Sequence, residues 1–528
     1  MQFFRGALLT FTAASAICVT GGPAAAQMTQ TRVEQGALSG VDKGEISAFL
    51  GVPFAAPPTG ENRWKAPRAA ERWQGTRETK AFSPSCQQGV SPAGFGPWTH
   101  EYVVTGEVSE DCLYLNVWTP AKRSGEKLPV MVWIHGGGFS GGSASVPIYD
   151  GSKLAEKGVV VIGINYRLGL YGFMAHPELT AESSPHASGN YGLMDQIAAL
   201  KWIRANVAAF GGDPDNVTIA GQSAGAMSVH HLLSSPLAEG LFVRAIAQSG
   251  SGTGVNAGDR ATAERAGTAL MQAAGVSSIA ALRALTPAQL EAAQGKMGPG
   301  AGMGFAPVVD GLVLPDASFA GANTHDVPIL TGMTSAEMTG LNPAFGKSTP
   351  ATLREQIDRA YGAFGPEIAA FYPASTDAQA NTAAEELAME RGLASMALWA
   401  AERQATSKQP IYAYLWDHAE PGPDAARYGA FHSSEIPYVF DMLDASPERP
   451  FTDIDRRLAA MMGQYWINFV KSGDPNGPGL PFWPVYLQSD RQILQIGGET
   501  FGRPLLPAAK LDAFRRYVAQ GGQIGILN

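Results

Sequence analysis

The stretch "NVTIAGQSAGAMSVHHLL", Asn216 to Leu233, passes from an apolar β-branched run into a helix-like one and sets Ser223 between Gly221 and Gly225 at the change. The pentapeptide GQSAG fits G-x-S-x-G. Its surroundings are those the pattern needs: a five-residue strand signal before it, and a helix signal from Ala224 to Leu233 that stops before Pro236. A turn of this kind holds its serine in a strained backbone conformation so that the hydroxyl projects from the sheet edge. Side chains two residues to either side would clash with the crossing backbone. Gly and Ser also favour ordinary turns, so the pentapeptide alone leaves Ser223 between a nucleophile and a small turn residue.

Working outward, short apolar runs recur along the chain: "PVMVWI" from Pro129, "GVVVIGIN" from Gly158, "NVTIA" from Asn216, "RAIAQ" from Arg244, "PIL" from Pro328, "PIYAYLW" from Pro410 and "QILQI" from Gln492. Continuous apolar strands alternating with helix-patterned stretches predict an α/β protein, a large, mostly parallel sheet with helices on both faces. Leu193, Ile197, Leu200, Ile203 and Val207 mark one face of a helix that "GGDPDN" should end with a turn. The Ala-, Glu- and Gln-rich segments from about Gly258 to Met297 and from about Thr349 to Lys408 read as helical excursions from the sheet. No repeat or long linker divides the 528 residues, so one elaborated domain over 27–528 is expected.

Composition limits the partners. With 45% hydrophobic and 16% charged residues the chain can bury a large core and is neither disordered nor an integral membrane protein. A formal charge of -9 without clustered Lys and Arg argues against nucleic acid and for a small or neutral ligand. Residues 1–26 follow signal-peptide grammar: Arg5, an apolar stretch from about Ala7 to Val19, and Ala24-Ala25-Ala26 before a cleavage expected near Gln27. The apolar run is too short for a membrane anchor, and Ile17 is too bulky for lipidation at Cys18. The chain is therefore expected to be secreted or periplasmic, with no membrane span after cleavage. In that oxidising setting a Cys86–Cys112 disulfide is the default, and the absence of CxxC or Cys/His clusters gives no zinc site.

A second glycine-rich stretch raises the standing of Ser223. "WIHGGGFSGGS" follows the run "PVMV" and places three glycines in a strand-to-helix loop, where backbone N–H groups can approach a developing oxyanion. A phosphate-cradling loop would need the lysine of GxxxxGK[ST] or the spacing of GxGxxG, and has neither. A serine nucleophile also needs a histidine base and a carboxylate to orient it, in the chain order Ser, acid, His. After Ser223 come His230, His231, His325, His418 and His432. His230 and His231 lie on the helix after the serine and read as packing or surface residues. His432, in "YGAFHSSEIPYVF", sits in a Gly-flanked loop as a loop-delivered base should. Glu337, in "ILTGMTSAEMTG", follows a strand, with Asp310, Asp326 and Asp417 as competitors for the acid.

Together these stretches resemble the type B carboxylesterases, the cholinesterase and bacterial para-nitrobenzyl esterase group with the α/β-hydrolase fold, over nearly the whole mature length. The resemblance rests on "FLGVPFAAPPTGENRWKAP", "SEDCLYLNVWTP", "HGGGF", "NYRLG", "GNYGLMDQIAALKWIRANVAAFGGDPDNVTIAGQSAGA", "AIAQSG", "TGMTSAEM", "GAFHSSEIPYVF" and "SGDPNG". It implies Ser223 as nucleophile, Glu337 as acid, His432 as base, and the N–H groups of Gly137, Gly138 and Ala224 as an oxyanion hole. It supports the Cys86–Cys112 bridge and suggests Arg63–Glu110 and Arg167–Asp195 as structural ion pairs. It places the helical excursions and the Cys86–Cys112 loop as pocket walls; Trp98 and Tyr102 in that loop read either as rim contacts or as packing aromatics. Two departures stand out: Gln222 where the family commonly has glutamate, and "GMTSAEM" where "GxNxDEG" is usual. The Asn-Val-Thr sequon at Asn216 falls inside the expected strand and reads as chance.

The expectation is an exported serine hydrolase of small carboxylic esters that needs no metal or cofactor, with the oligomeric state open between monomer and homodimer. Two rivals remain: the same machinery acting on amides or carbamates, and a non-catalytic binding protein of the same fold.

Overall fold

The structure is a computed structural model describing residues 27–253, 257–298, 304–316 and 325–525, with residues 2 and 300. The expected signal peptide falls almost wholly outside the described residues. An eleven-stranded sheet forms the centre. In chain order its strands are β1 (Val41–Asp42), β2 (Ser47–Pro53), β3 (Tyr114–Thr119), β4 (Leu128–Ile134), β5 (Val160–Ile164), β6 (Gly212–Gln222), β7 (Arg244–Gln248), β8 (Ile329–Thr334), β9 (Ile411–Asp417), β10 (Gln492–Gly497) and β11 (Phe501–Pro504). They lie side by side in the order β11-β10-β9-β8-β7-β6-β4-β5-β3-β2-β1. From β10 to β5 every neighbouring pair is parallel, and the antiparallel pairs are at the two ends.

The continuous apolar runs arise because both faces of the parallel region are covered. Along β4, Val130, Val132 and Ile134 enter one core while the alternating Met131 and Trp133 enter the other, and all are buried. Helix α1 (Tyr191–Asn206) buries Leu193, Ile197, Leu200 and Ile203 on the first face, at about 1.5–3 kcal/mol for each such side chain. Helix α2 (Ala224–Ser234) packs beside it. The excursions are helical as expected: α3 (Arg260–Ala274) and α4 (Pro287–Lys296) in the first, α5 (Pro350–Tyr361) and α6 (Asp377–Gln404) in the second. On the opposite face α7 (Asp453–Ser472) supplies Trp466, Phe469 and Val470 to the second core.

One local expectation is corrected. The helical run does end at "GGDPDN", in a left-handed turn at Gly211, but no longer turn follows, because β6 already begins at Gly212 and pairs there with Leu128 before its register shifts up to Val217. The chain break is shorter than Gly and Pro suggest, since β4 captures the backbone at once.

Two ion pairs pin loops to this frame. Arg63 reaches Glu110 through Nε at 2.7 Å and Nη2 at 2.5 Å, while its Nη1 donates to the carbonyls of Arg283 and Leu285. Arg167 grips Asp195 of α1 through Nε and Nη2, each at 2.7 Å, and also donates its backbone N–H at 3.0 Å; both residues are buried. Cys86 and Cys112 form the expected disulfide. Among the described residues no helix is long and apolar enough to cross a membrane.

Candidate active site

Five adjacent parallel strands, β4, β6, β7, β8 and β9, deliver the site from their carboxyl ends, where open α/β sheets place their ligands. After β4 comes the glycine loop, after β6 Ser223, after β7 Ser249, after β8 Glu337, and after β9 a longer connection carrying His432.

Ser223 is held at φ 57° and ψ -126°, a conformation that non-glycine residues rarely adopt, as the N-cap of α2. Its N–H donates to Gln248 O at 2.8 Å and its carbonyl accepts the first helical bond from Met227 at 2.9 Å. The flanking glycines are required by close approach. A Cβ on Gly225 would stand 2.0 Å from Ile134 O, and one on Gly221 would stand 2.5 Å from the carbonyl carbon of Gly225. Helix α2 thus starts in contact with the last carbonyl of β4. The glycine loop runs against the same turn, since Gly136 faces Gln222 O and the Ser223 Cβ. Gly137, at φ 112°, lets the loop fold back so that Ser140 and Gly141 donate to its carbonyl.

Glu337 and His432 meet although 95 residues separate them, because Ala336 and Phe431 form a parallel bridge and the Ala336 N–H donates to Ala430 O at 3.1 Å. His432 Nδ1 is hydrogen-bonded to Glu337 Oε2. Glu337 Oε1 accepts from Ser249 Oγ at 2.5 Å and from the Thr334 N–H at 2.8 Å, so both oxygens of a buried carboxylate are engaged. Burial opposes charging the His432 ring, but the charge and hydrogen bond of Glu337 outweigh it, helped by Glu435, and its pKa lies above the ordinary imidazole value. Glu435 is buried three residues further on, and burial together with Glu337 raises its carboxyl to about 7. It accepts from Gln248 Nε2 at 3.0 Å.

The competing residues are placed elsewhere. Asp310 Oδ1 accepts the N–H groups of Leu312, Val313 and Leu314; Asp326 accepts from Ser407; Asp417 accepts from Ser335 and Gln495. His418 bonds Asp455 and His325 bonds Ser235 O. His230 and His231 are buried in packing, His230 edge-on to Trp399, and burial lowers both rings to about 3.

Sequence reasoning missed two contacts to His432. Gln222 Nε2 lies 3.1 Å from His432 Nε2, and among the described residues no hydrogen bond joins Ser223 Oγ to His432. With Nδ1–H directed at Glu337, Nε2 is the acceptor and the Gln222 amide its donor. The adjacency of Gln222 to Ser223 was the available signal, but a side-chain rotamer is not written in spacing. The other contact favours packing over a rim role for Trp98 and Tyr102. Trp98 is 8% exposed and donates its indole N–H to His432 O at 3.0 Å, packed edge-on against Phe431. Tyr102 is half-buried and its hydroxyl donates to Glu420. The Cys86–Cys112 loop is therefore anchored to the base-bearing segment by these aromatics. Among the described residues, His100, Glu101 and Glu448 could together hold a metal ion, their ligand atoms lying within 4.8 Å of one another; none of the three is bonded to Ser223, Glu337 or His432.

A strand-to-helix serine turn, a glycine loop and a buried carboxylate–imidazole pair at neighbouring strand ends define an α/β-hydrolase-type site. Residues 27–509 match the model of the Carboxylesterase family, and the chain belongs to that family. It is 36% identical to a fumonisin B1 esterase of Sphingopyxis macrogoltabida over 91% of this chain and 89% of that protein. It is 33% identical to the para-nitrobenzyl esterase of Bacillus subtilis (strain 168), covering 88% and 94%. With a phenmedipham hydrolase of Pseudarthrobacter oxydans it shares 36% identity, covering 88% and 94%.

Proposed function

We propose that the protein is a serine carboxylesterase working through an acyl-enzyme on Ser223. The observation that carries this is the convergence of the strained Ser223 turn, the glycine loop and the Glu337–His432 pair at adjacent strand ends. In this reading Ser223 Oγ closes onto His432 Nε2, displacing the Gln222 amide, and gives up its proton as it bonds the ester carbonyl carbon. The oxyanion is met by the N–H groups of Gly137, Gly138 and Ala224. His432 passes its proton to the departing alkoxide as the acyl–oxygen bond of the ester breaks; it then takes a proton from the water that attacks the acyl carbon and returns it to Ser223 Oγ as the acyl–Oγ bond breaks, freeing the acid. Glu337 holds Nδ1–H throughout and balances the imidazolium.

The residues 1–26 and the Cys86–Cys112 bridge support export with cleavage before Gln27, leaving one domain over 27–528. The test of the enzyme reading is hydrolysis of p-nitrophenyl esters of graded acyl length beside their matched anilides, with a fluorophosphonate probe for the nucleophile. Ester turnover with labelling at Ser223 is expected. Anilide turnover matching the esters would make the protein an amidase, and a folded protein that neither turns over nor labels would overturn the enzyme reading.

The pH dependence follows from the buried pair. His432 must be neutral to accept the Ser223 proton, and its pKa lies above the ordinary value of 6.5, so kcat/KM should rise with pH through an apparent pKa above that value. Glu435 pushes the His432 pKa up through its negative charge. Glu435→Gln should therefore move the acid limb to lower pH, a shift read directly from the kcat/KM profile. An unmoved or raised limb would rule out the electrostatic link.

A further inference from the structure

A cavity of about 280 Å³ lies between residues 335–339 and helices α5 and α6. Of the residues at the candidate active site, Glu337 borders it, while Ser223, His432 and the glycine loop do not. Its walls are largely apolar, with Phe345, Leu353, Ile357 and Leu387 among them, but two polar groups interrupt them. Arg391, on α6, is half-buried and has no ion pair among the described residues, and its Nε is shut off from solvent without a hydrogen-bond acceptor. Tyr361, at the end of α5, is 4% exposed, and its O–H has no acceptor. Burial raises the Tyr361 phenol to about 12, and Arg391 pulls the other way through its charge and a side-chain hydrogen bond to the phenol, which leaves the O–H to be donated elsewhere.

Unsatisfied buried donors are costly, about 1–3 kcal/mol each and more when charged. Here a guanidinium and a phenol, both able to donate, border a cavity large enough for a ligand. A carboxylate accepts two such bonds at once. The rest of the lining suits hydrocarbon, and at about 30 Å³ per water-sized group the cavity holds a carboxylate with roughly six carbons. Glu385 also lines it, so a second negative charge would be repelled. We propose that this cavity is a second, non-catalytic binding site for a small aliphatic monocarboxylate, held by Arg391 and Tyr361. A saturated acid of this kind is also what ester cleavage releases, so the site would sense product.

The test is calorimetric titration with hexanoate, and with hexanol as the neutral control, on the wild type, Arg391→Gln, Tyr361→Phe and the wild type after fluorophosphonate treatment. One hexanoate site is expected, unchanged by the phosphonate, weakened about tenfold or more by Arg391→Gln and roughly threefold to tenfold by Tyr361→Phe, with hexanol not competing. Should Arg391→Gln not fold, Tyr361→Phe decides. Absence of millimolar hexanoate binding, binding lost on phosphonylation, binding indifferent to both variants, or equal binding of hexanol would each overturn the proposal. Failure of the phosphonate to label is a result about Ser223 and leaves the variant comparison to judge the cavity.

Discussion

Ser223→Ala is expected to lower kcat for p-nitrophenyl butyrate by on the order of 10⁵-fold, with little change in thermal stability. Only the attacking oxygen is removed. The half-buried Oγ has no hydrogen bond to His432, and the backbone bonds that hold the turn, to Gln248 O and from the Met227 N–H, do not involve it. The glycine loop survives, so a residual rate above the uncatalysed one should persist. Glu337→Gln makes the companion measurement. Its Oε1 side can still accept from Ser249 and Thr334, but an amide N–H facing Nδ1–H sets donor against donor and drives the ring to the wrong tautomer. The loss should be about 10⁴-fold. A Ser223→Ala enzyme that keeps more than a few per cent of its activity would remove the serine from the chemistry and, with it, the proposed function.

Asp195→Ala should cost about 3–5 kcal/mol in chemical denaturation, because it strands a buried guanidinium. Arg167 gives Asp195 two side-chain bonds and a backbone one, and its remaining Nη1 has no partner, so nothing nearby takes over the charge. Replacing both partners together, Arg167→Met with Asp195→Leu, should recover much of that loss. The effect belongs to stability, since α1 lies behind the sheet and neither residue touches Ser223, Glu337 or His432. A loss under about 1 kcal/mol for the single variant would show that water or a rearranged loop reaches the arginine.

Much of this architecture was legible in the sequence because its cause is local. Strands buried on both faces must be apolar throughout, so β4, β5, β6 and β9 announced themselves, and the glycines around Ser223 are dictated by backbone approach that no side chain survives. His432 was readable as a candidate from its Gly-flanked loop, and the family resemblance implied its role. Glu337 was not separable from Asp310, Asp326 and Asp417 by pattern, because the contact that brings it to His432, the Ala336–Phe431 bridge, joins segments 95 residues apart. The Gln222 amide at His432 Nε2 and the Trp98 indole at His432 O were hidden for a related reason. Each depends on which way one side chain turns after the sheet has assembled. Trp98 looked like an exposed rim aromatic because its neighbours are Gly, Pro and Thr; the burial comes from Phe431, which arrives more than 330 residues later.

The contact of Gly225 with the last carbonyl of β4 also limits how such a protein can diversify. An added methyl at that position would meet an oxygen at 2.0 Å, and strand and helix cannot separate without opening the core that both of them fill. The reacting end is thereby frozen as inheritance, beyond the reach of gradual change. Novelty in what the protein accepts has to accumulate in the inserted segments between strands, whose lengths and sequences can drift while the strand ends stay still. For directed evolution the practical reading is a division of the gene: randomise the insertions, and spare the elbow.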